Sequence, residues 1–90
     1  MDVRHEPESE RFVTVVDGQE AAVSYRREGD VLVISHTGVP EAIGGRGLAG
    51  NLNRAAFEHA KASGLRVRPV CSYAAAWARR HDEYADLIVE

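Results

Sequence analysis

The sequence of 90 residues predicts one small α+β domain (mixed α/β) with the element order β-β-β-α-β-α. Two observations lead to this prediction. In the first half, three β-prone segments are separated by glycine-containing turns, and in the second half the apolar residues change to a helical period between residues 48 and 63. An apolar segment after that helix supplies a fourth strand, which gives an antiparallel meander followed by one parallel crossover.

The three strands of the meander differ in how their residues alternate. Phe12–Val16 is a short β-prone segment that leads into the hairpin signal Asp17-Gly18. Gln19–Arg27 alternates apolar and polar residues, as a half-buried strand does. After a second turn, Val31–His36 is apolar on both faces, which predicts a central strand that is covered on two sides.

The second half of the chain predicts a helix, a strand and a second helix. Apolar side chains recur at helical spacing over residues 48–63, and Gly64 provides the stop. Leu65–Val70 is the fourth strand, and we expect it to lie parallel to the third. Because proline has no N–H to give to the ladder, we expect strand pairing to fail near Pro69. A second helix is predicted at Tyr73–Arg80, followed by a short tail.

The composition is that of a soluble globular protein, with 44% hydrophobic and 28% charged residues. The chain has no run of the about 20 apolar residues that a membrane helix needs, and its acidic N-terminal segment is unlike a signal peptide. We therefore expect a cytoplasmic protein, in which the single cysteine, Cys71, has no internal disulfide partner. Residues 1–9 have no periodic apolar pattern and are expected to form a loose leader before a domain at residues 10–90.

The charge pattern restricts the class of ligand. A formal net charge of −3 argues against a general nucleic-acid-binding protein or a membrane-surface module. Residues 44–81 nevertheless contain seven basic residues and one acidic residue, a balance that suits a small polyanion. A solvated surface whose charges are balanced by the two acidic ends explains the same pattern, and charge alone does not separate the two interpretations. The spacing of the four histidines predicts no metal site.

A glycine-rich segment, Gly44-Gly45-Arg46-Gly47, joins the predicted third strand to the first helix. Glycines allow successive N–H groups to curl toward one anion, and a helix N-terminus adds unpaired donors and a partial positive charge. The lysine and the hydroxyl residue that complete a P-loop are missing. The segment therefore predicts either a phosphate-binding loop or a flexible connector without a ligand.

Together, Val39-Pro40, the loop Gly45–Ala49 and Leu52 resemble the acetyl-CoA signature of the GNAT N-acetyltransferases. One position departs from the signature, because Gly44 stands where the family has arginine or glutamine. More specifically, the chain resembles the short GNAT-like proteins over about residues 10–88. Three segments in order support this resemblance: His36–Pro40, Pro69–Tyr73 and Arg79–Leu87.

The resemblance implies a minimal GNAT-like fold in which two parallel strands splay apart and hold the pantetheine arm of CoA, with the pyrophosphate on the glycine loop. It implies acetyl-CoA as the donor and an amine of a small molecule or a protein as the acceptor, with no nucleic acid or membrane as partner. A non-catalytic CoA-binding or protein-interaction module of the same fold is the alternative. The residues that the resemblance assigns to CoA are Thr37, Val39, Gly44, Gly45, Arg46, Gly47, Leu48, Ala49 and Gly50.

Three side chains are candidates for catalysis, and each has a structural alternative. Cys71 follows the fourth strand and is either an acyl acceptor, an acid for the departing thiol, or a small buried hydrophobe. His36 is either a general base for the amine or a core histidine, because by alternation it shares the covered face of Leu32 and Ile34. Tyr73 either protonates the CoA sulfur, as a tyrosine does in many GNAT enzymes, or only packs.

Overall fold

A computed structural model describes residues 2–90 and shows a five-stranded sheet with two α-helices. The strands are β1 (Arg4–Glu6), β2 (Arg11–Val16), β3 (Gln19–Glu28), β4 (Val31–Gly38) and β5 (Arg66–Pro69), and the helices are α1 (Leu48–Ser63) and α2 (Ser72–Arg79). Three short 3₁₀ helices cover Pro7–Ser9, Glu41–Ile43 and Asp82–Leu87. The strands lie in sequence order; β1 to β4 are antiparallel neighbours, and β5 is parallel to β4. The predicted α+β class, with its meander and parallel crossover, is confirmed.

The core lies on one face of the sheet, between the strands and both helices. Helix α1 buries the stripe that its helical period predicted, and Gly64 ends it in the left-handed region at φ 71°. In α2, Ala74 and Trp77 are buried, and the ring of Trp77 lies 5.1 Å from that of Phe57 in α1. Tyr84, in the C-terminal segment, is also buried in the core. Its hydroxyl donates a hydrogen bond to the carboxylate of Glu58 in α1.

The N-terminal segment departs from the expected loose leader. Arg4–Glu6 forms strand β1, which pairs with β2 so that His5 lies opposite Phe12. The His5 ring stacks on Phe12 at 4.2 Å, and its Nε2 is 2.6 Å from the Tyr25 hydroxyl. Three residues are too few for an alternation signal, and these ring contacts join residues that are distant in sequence. The sequence pattern therefore did not reveal this strand.

A β-bulge in β4 changes which side chains face the core. The register shifts so that Tyr25 lies opposite Ile34 while Ser24 lies opposite His36, which leaves Ser35 as an extra residue. Thr37, opposite Val23, therefore takes the face of Ile34, whereas His36 turns to the other face and is exposed. The expectation that His36 shares the covered face of Ile34 is wrong, because simple alternation does not hold across a bulge.

Candidate functional site

The two parallel strands separate where Pro69 ends their ladder. The last pair is Ile34–Pro69. After it, β4 continues to Gly38, while the segment after β5 leads into α2. The N–H groups of Val70 and Cys71 both donate to the carbonyl of Ile34, at 3.0 and 3.1 Å. The predicted loss of pairing near Pro69 is confirmed. We call the region between residues 35–39, at the end of β4, and residues 70–73 the strand gap.

The glycine loop lies between the end of β4 and the start of α1. Gly45 and Gly47 have φ angles of 76° and 75°, a region that favours glycine, and a Cβ on either would meet no atom within 4 Å. Gly47 is the N-cap residue of α1 and has no side chain to cap the helix, and the first turn has no acidic residue. Free N–H donors at a helix N-terminus fit an anionic group, so the loop suits a phosphate or pyrophosphate.

Two residues of this segment are already engaged within the chain. The N–H of Gly44 donates to the carbonyl of Glu41 at 3.1 Å, so this amide has an internal partner. The guanidinium of Arg46 pairs with Asp17 of the β2–β3 hairpin at 2.9 Å, and both side chains are largely exposed. An anion on the loop therefore competes with Asp17 for Arg46.

The glycines also fit a second pattern, because Gly45, Gly47 and Gly50 have G-x-G-x-x-G spacing. In a dinucleotide-binding fold this pattern opens a βαβ unit, with an acidic residue about 20 positions further on that binds the ribose. Here β4, α1 and the parallel strand β5 do form a βαβ unit, but residues 59–81 contain no acidic residue. The context does not support a dinucleotide site.

A chain of hydrogen bonds joins α1, β4 and α2 at the strand gap. The amide of Asn53 donates from Nδ2 to the carbonyl of Ala49 at 3.0 Å and to the Thr37 hydroxyl at 3.2 Å. Thr37 Oγ1 lies 3.6 Å from the sulfur of Cys71, which also accepts from the N–H of Ala74 at 3.3 Å. Because Asn53 donates to Thr37, the hydroxyl proton of Thr37 is available to the sulfur.

Asn53 is a residue that the sequence analysis missed. It is fully buried, and its Oδ1 has no hydrogen-bond partner among the described residues. A signal was present in the sequence, since Asn53 falls on the apolar stripe of α1 between Leu52 and Ala56. A buried amide on such a stripe points to a polar network in the core.

The three catalytic candidates take different positions. Cys71 is half-buried as the N-cap residue of α2, beside Thr37. The Tyr73 hydroxyl lies 3.6 Å from a Cβ built on Gly50, over the first turn of α1. His36 is exposed on the opposite sheet face, beside Gly38. The structure thus brings Cys71 to Thr37 and Tyr73 to α1, while His36 stands apart from both.

Two cavities lie outside the strand gap. One of about 560 Å³ lies between the end of β5, α2 and the C-terminal segment, and includes Arg68 and Arg79 in its lining. The other, of about 500 Å³, lies near His5, Tyr25 and His59. Across residues 2–90, no helix is long and apolar enough to span a membrane, and no three His, Cys, Asp or Glu side chains are grouped to hold a metal ion.

Comparison with known proteins gives the family that the sequence motifs resemble. The profile of the GCN5-related N-acetyl-transferase family matches residues 11–87. The fold is also similar to the NMR solution structure of a GCN5-like protein from Staphylococcus aureus, with 27% identity and a TM-score of 0.77. That match covers 98% of this chain and 87% of the other. The chain belongs to the GCN5-related N-acetyltransferase family.

Proposed function

We propose that the protein binds acetyl-CoA and transfers its acetyl group to an amine. The observation that carries this proposal is the placement of the strand gap directly beside the glycine loop and the uncapped start of α1. A strand end with unused backbone groups suits the pantetheine arm, and free helix N–H donors suit the pyrophosphate. Membership of the GCN5-related family supports the same donor.

Backbone groups carry most of the binding in this proposal. The amides at residues 45–50 would hold the pyrophosphate, while backbone groups of Thr37 and Val39 would line the pantetheine arm. Acetyl-CoA would supply an acetyl group that is activated as a thioester. The fixed strand and helix would then orient that group without a large set of catalytic side chains.

In the route that we propose, the amine attacks the acetyl carbon directly. The amine nitrogen would bond to the acetyl carbon and displace the sulfur, while His36 would accept a proton from the amine. Cys71 or Tyr73 would return a proton to the departing sulfur. His36 suits an incoming acceptor because it is exposed. In the competing route, Cys71 Sγ would first take the acetyl group and then pass it to the amine.

Turnover tests the proposal. The purified protein is incubated with acetyl-CoA and a panel of small amines, amino acids and peptides, and free CoA and acetylated product are measured by chromatography. We expect both products to form in equal amounts with a suitable amine. Tight CoA binding without turnover for any acceptor would contradict the enzyme and support a non-catalytic CoA-binding module.

A cysteine variant separates the two routes. With direct attack, Cys71→Ala keeps substantial activity, because the thiol is not the acyl carrier. Loss of all transfer in this variant, together with an acetylated Cys71 in the wild-type protein by mass spectrometry, would support the cysteine route instead.

A further inference from the structure

The sheet face opposite the helices presents two side chains beside the strand gap. Arg68 lies opposite Val33 in the ladder, which puts both on this face, one residue before the ladder ends at Pro69. The bulge in β4 brings His36 to the same face beyond that end. About 10 Å of strand rise separates Val33 from His36, so two long side chains here can contact one small molecule.

Arg68 differs from the other arginines of the chain. It is half-buried, and within residues 2–90 its guanidinium has no hydrogen bond or ion pair. Five of the others pair with carboxylates: Arg4, Arg11, Arg26, Arg46 and Arg54. Arg27 and Arg66 donate to backbone carbonyls, and Arg79 and Arg80 are exposed. A partly desolvated guanidinium without an acceptor is suited to bind an anion.

Arg68 is also among the residues that line the cavity of about 560 Å³, which lies at the edge of the sheet between β5, α2 and the C-terminal segment. Much of the cavity wall is apolar, including Pro69, Ala75, Ala78 and Ile88. Arg79 adds a second guanidinium, and Asp82 and Glu90 also contribute to the lining without an ion pair to either arginine. The cavity therefore combines an apolar wall with two arginines and two carboxylates, none of them in an ion pair within residues 2–90, next to the end of the β4–β5 ladder.

We propose that the acceptor is an amino acid with an apolar side chain, that is, a small amine that also carries a carboxylate. Arg68 binds the carboxylate, the apolar wall takes the side chain, and the amine is left beside the strand gap toward His36. This inference rests on the proposed acetyl transfer and names the substrate class of that same site. Arg68 is a specificity-determining residue in it.

The charges of this sheet face oppose the alternative of a basic acceptor. Arg26 lies opposite Val33 in β3, the strand that flanks β4 on the side away from β5. Arg66 lies two residues before Arg68 in β5, on the same face of the sheet. Glu28, the nearest acidic residue along β3, is paired with Arg26. A polyamine or a lysine-rich peptide would meet these cations, and like-charge contacts disfavour binding.

A matched pair of acceptors tests the substrate class. Leucine and leucinamide have the same side chain and amine, but only leucine has a carboxylate. We expect kcat/KM for leucine to exceed that for leucinamide by about tenfold or more, since a carboxylate–guanidinium pair is a strong hydrogen-bonded contact. This preference would be opposite to the intrinsic reactivity of the two acceptors, because the amine of leucinamide loses its proton more easily than that of leucine. Equal or better acetylation of leucinamide or of spermidine would overturn the inference.

Two variants assign the effect to a residue. Arg68→Gln is expected to raise KM for leucine and leave KM for leucinamide nearly unchanged, which removes the preference. Arg80→Gln is the control, because Arg80 is exposed, without an ion-pair partner, and outside the cavity lining. The inference fails if Arg68→Gln changes both acceptors equally or if Arg80→Gln has the same effect.

A binding experiment separates this inference from the proposed reaction. N-acetylleucine is titrated into labelled protein while the Arg68 side-chain Nε–H and the amides of residues 66–79 are followed by NMR. We expect shifts at Arg68 that are lost in Arg68→Gln and kept in Arg80→Gln. Absence of any shift there refutes the carboxylate site whether or not the protein turns over. Shifts without turnover support the site and count against the acetyl transfer.

Discussion

At the scale of single residues, the amide of Asn53 donates to the Thr37 hydroxyl that lies beside Cys71. Its Nδ2 must point to the carbonyl of Ala49, since the reversed amide would place two oxygens together. The same Nδ2 then donates to Thr37, whose own proton is left for the sulfur of Cys71. The sulfur therefore accepts from the N–H of Ala74 and lies 3.6 Å from the Thr37 hydroxyl, which can donate to it.

The first prediction concerns Thr37. Thr37→Val keeps the shape of the side chain but removes the hydroxyl donor, so a thiolate at Cys71 loses one stabilising contact. We expect alkylation of Cys71 by iodoacetamide at neutral pH to slow by about threefold or more. Thr37→Ser retains the hydroxyl and serves as the control. An unchanged rate in Thr37→Val would show that the hydroxyl does not act on the sulfur.

The second prediction concerns the ion pair between Arg46 and Asp17. Because both side chains are exposed, the pair is weak, and Asp17 mainly competes with a bound phosphate for the guanidinium. We expect Arg46→Ala to weaken CoA binding by less than about fivefold, and Asp17→Asn to tighten it. Calorimetric titration of CoA measures both. Weaker binding in Asp17→Asn would contradict this competition.

At the scale of elements, the start of α1 depends on the left-handed backbone of Gly47. Gly47→Val places a β-branched side chain at φ 75°, where it is strained, and the loop is expected to rearrange. We expect CoA affinity to fall by about tenfold or more. Gly29 in the β3–β4 turn also has a positive φ and open space around a built Cβ, so Gly29→Val is the matched control. Equal losses of affinity in the two variants would show that the loss comes from general destabilisation of the fold and not from the loop.

Strand β1 makes stability depend on pH through His5. Burial, and then the nearby charge of His59, lower the pKa of His5. The unfolded chain therefore holds the proton more tightly than the folded chain. The resulting stabilisation is complete above the unfolded value of about 6.5 and is lost as the pH falls through the lower folded value.

We expect the free energy of unfolding to decrease from about pH 7.5 to about pH 5.5, as measured by urea denaturation. His5→Phe preserves stacking on Phe12 and removes the titrating group, so its pH dependence is smaller. His36→Gln, at an exposed histidine, should leave the dependence as it is. A full pH dependence in His5→Phe would assign it to other groups.

At the scale of the whole molecule, the sequence was informative where one residue type has a strong backbone effect. Pro69 predicted the end of the ladder because it has no N–H, and Gly64 predicted the end of α1. The bulge at Ser35 was not predictable, because it depends on the register with β3, and it moved His36 to the other face. The ion pair of Arg46 with Asp17 joins a loop to a distant hairpin, so local pattern gave no sign of it.

The most direct test of the central claim is amide shift mapping of the labelled protein with acetyl-CoA. If backbone donors of the strand gap and glycine loop bind the cofactor, the largest changes fall at residues 37–39 and 44–50. Largest changes at residues 11–27, or around the cavity near His5 and His59, would contradict this assignment of the site.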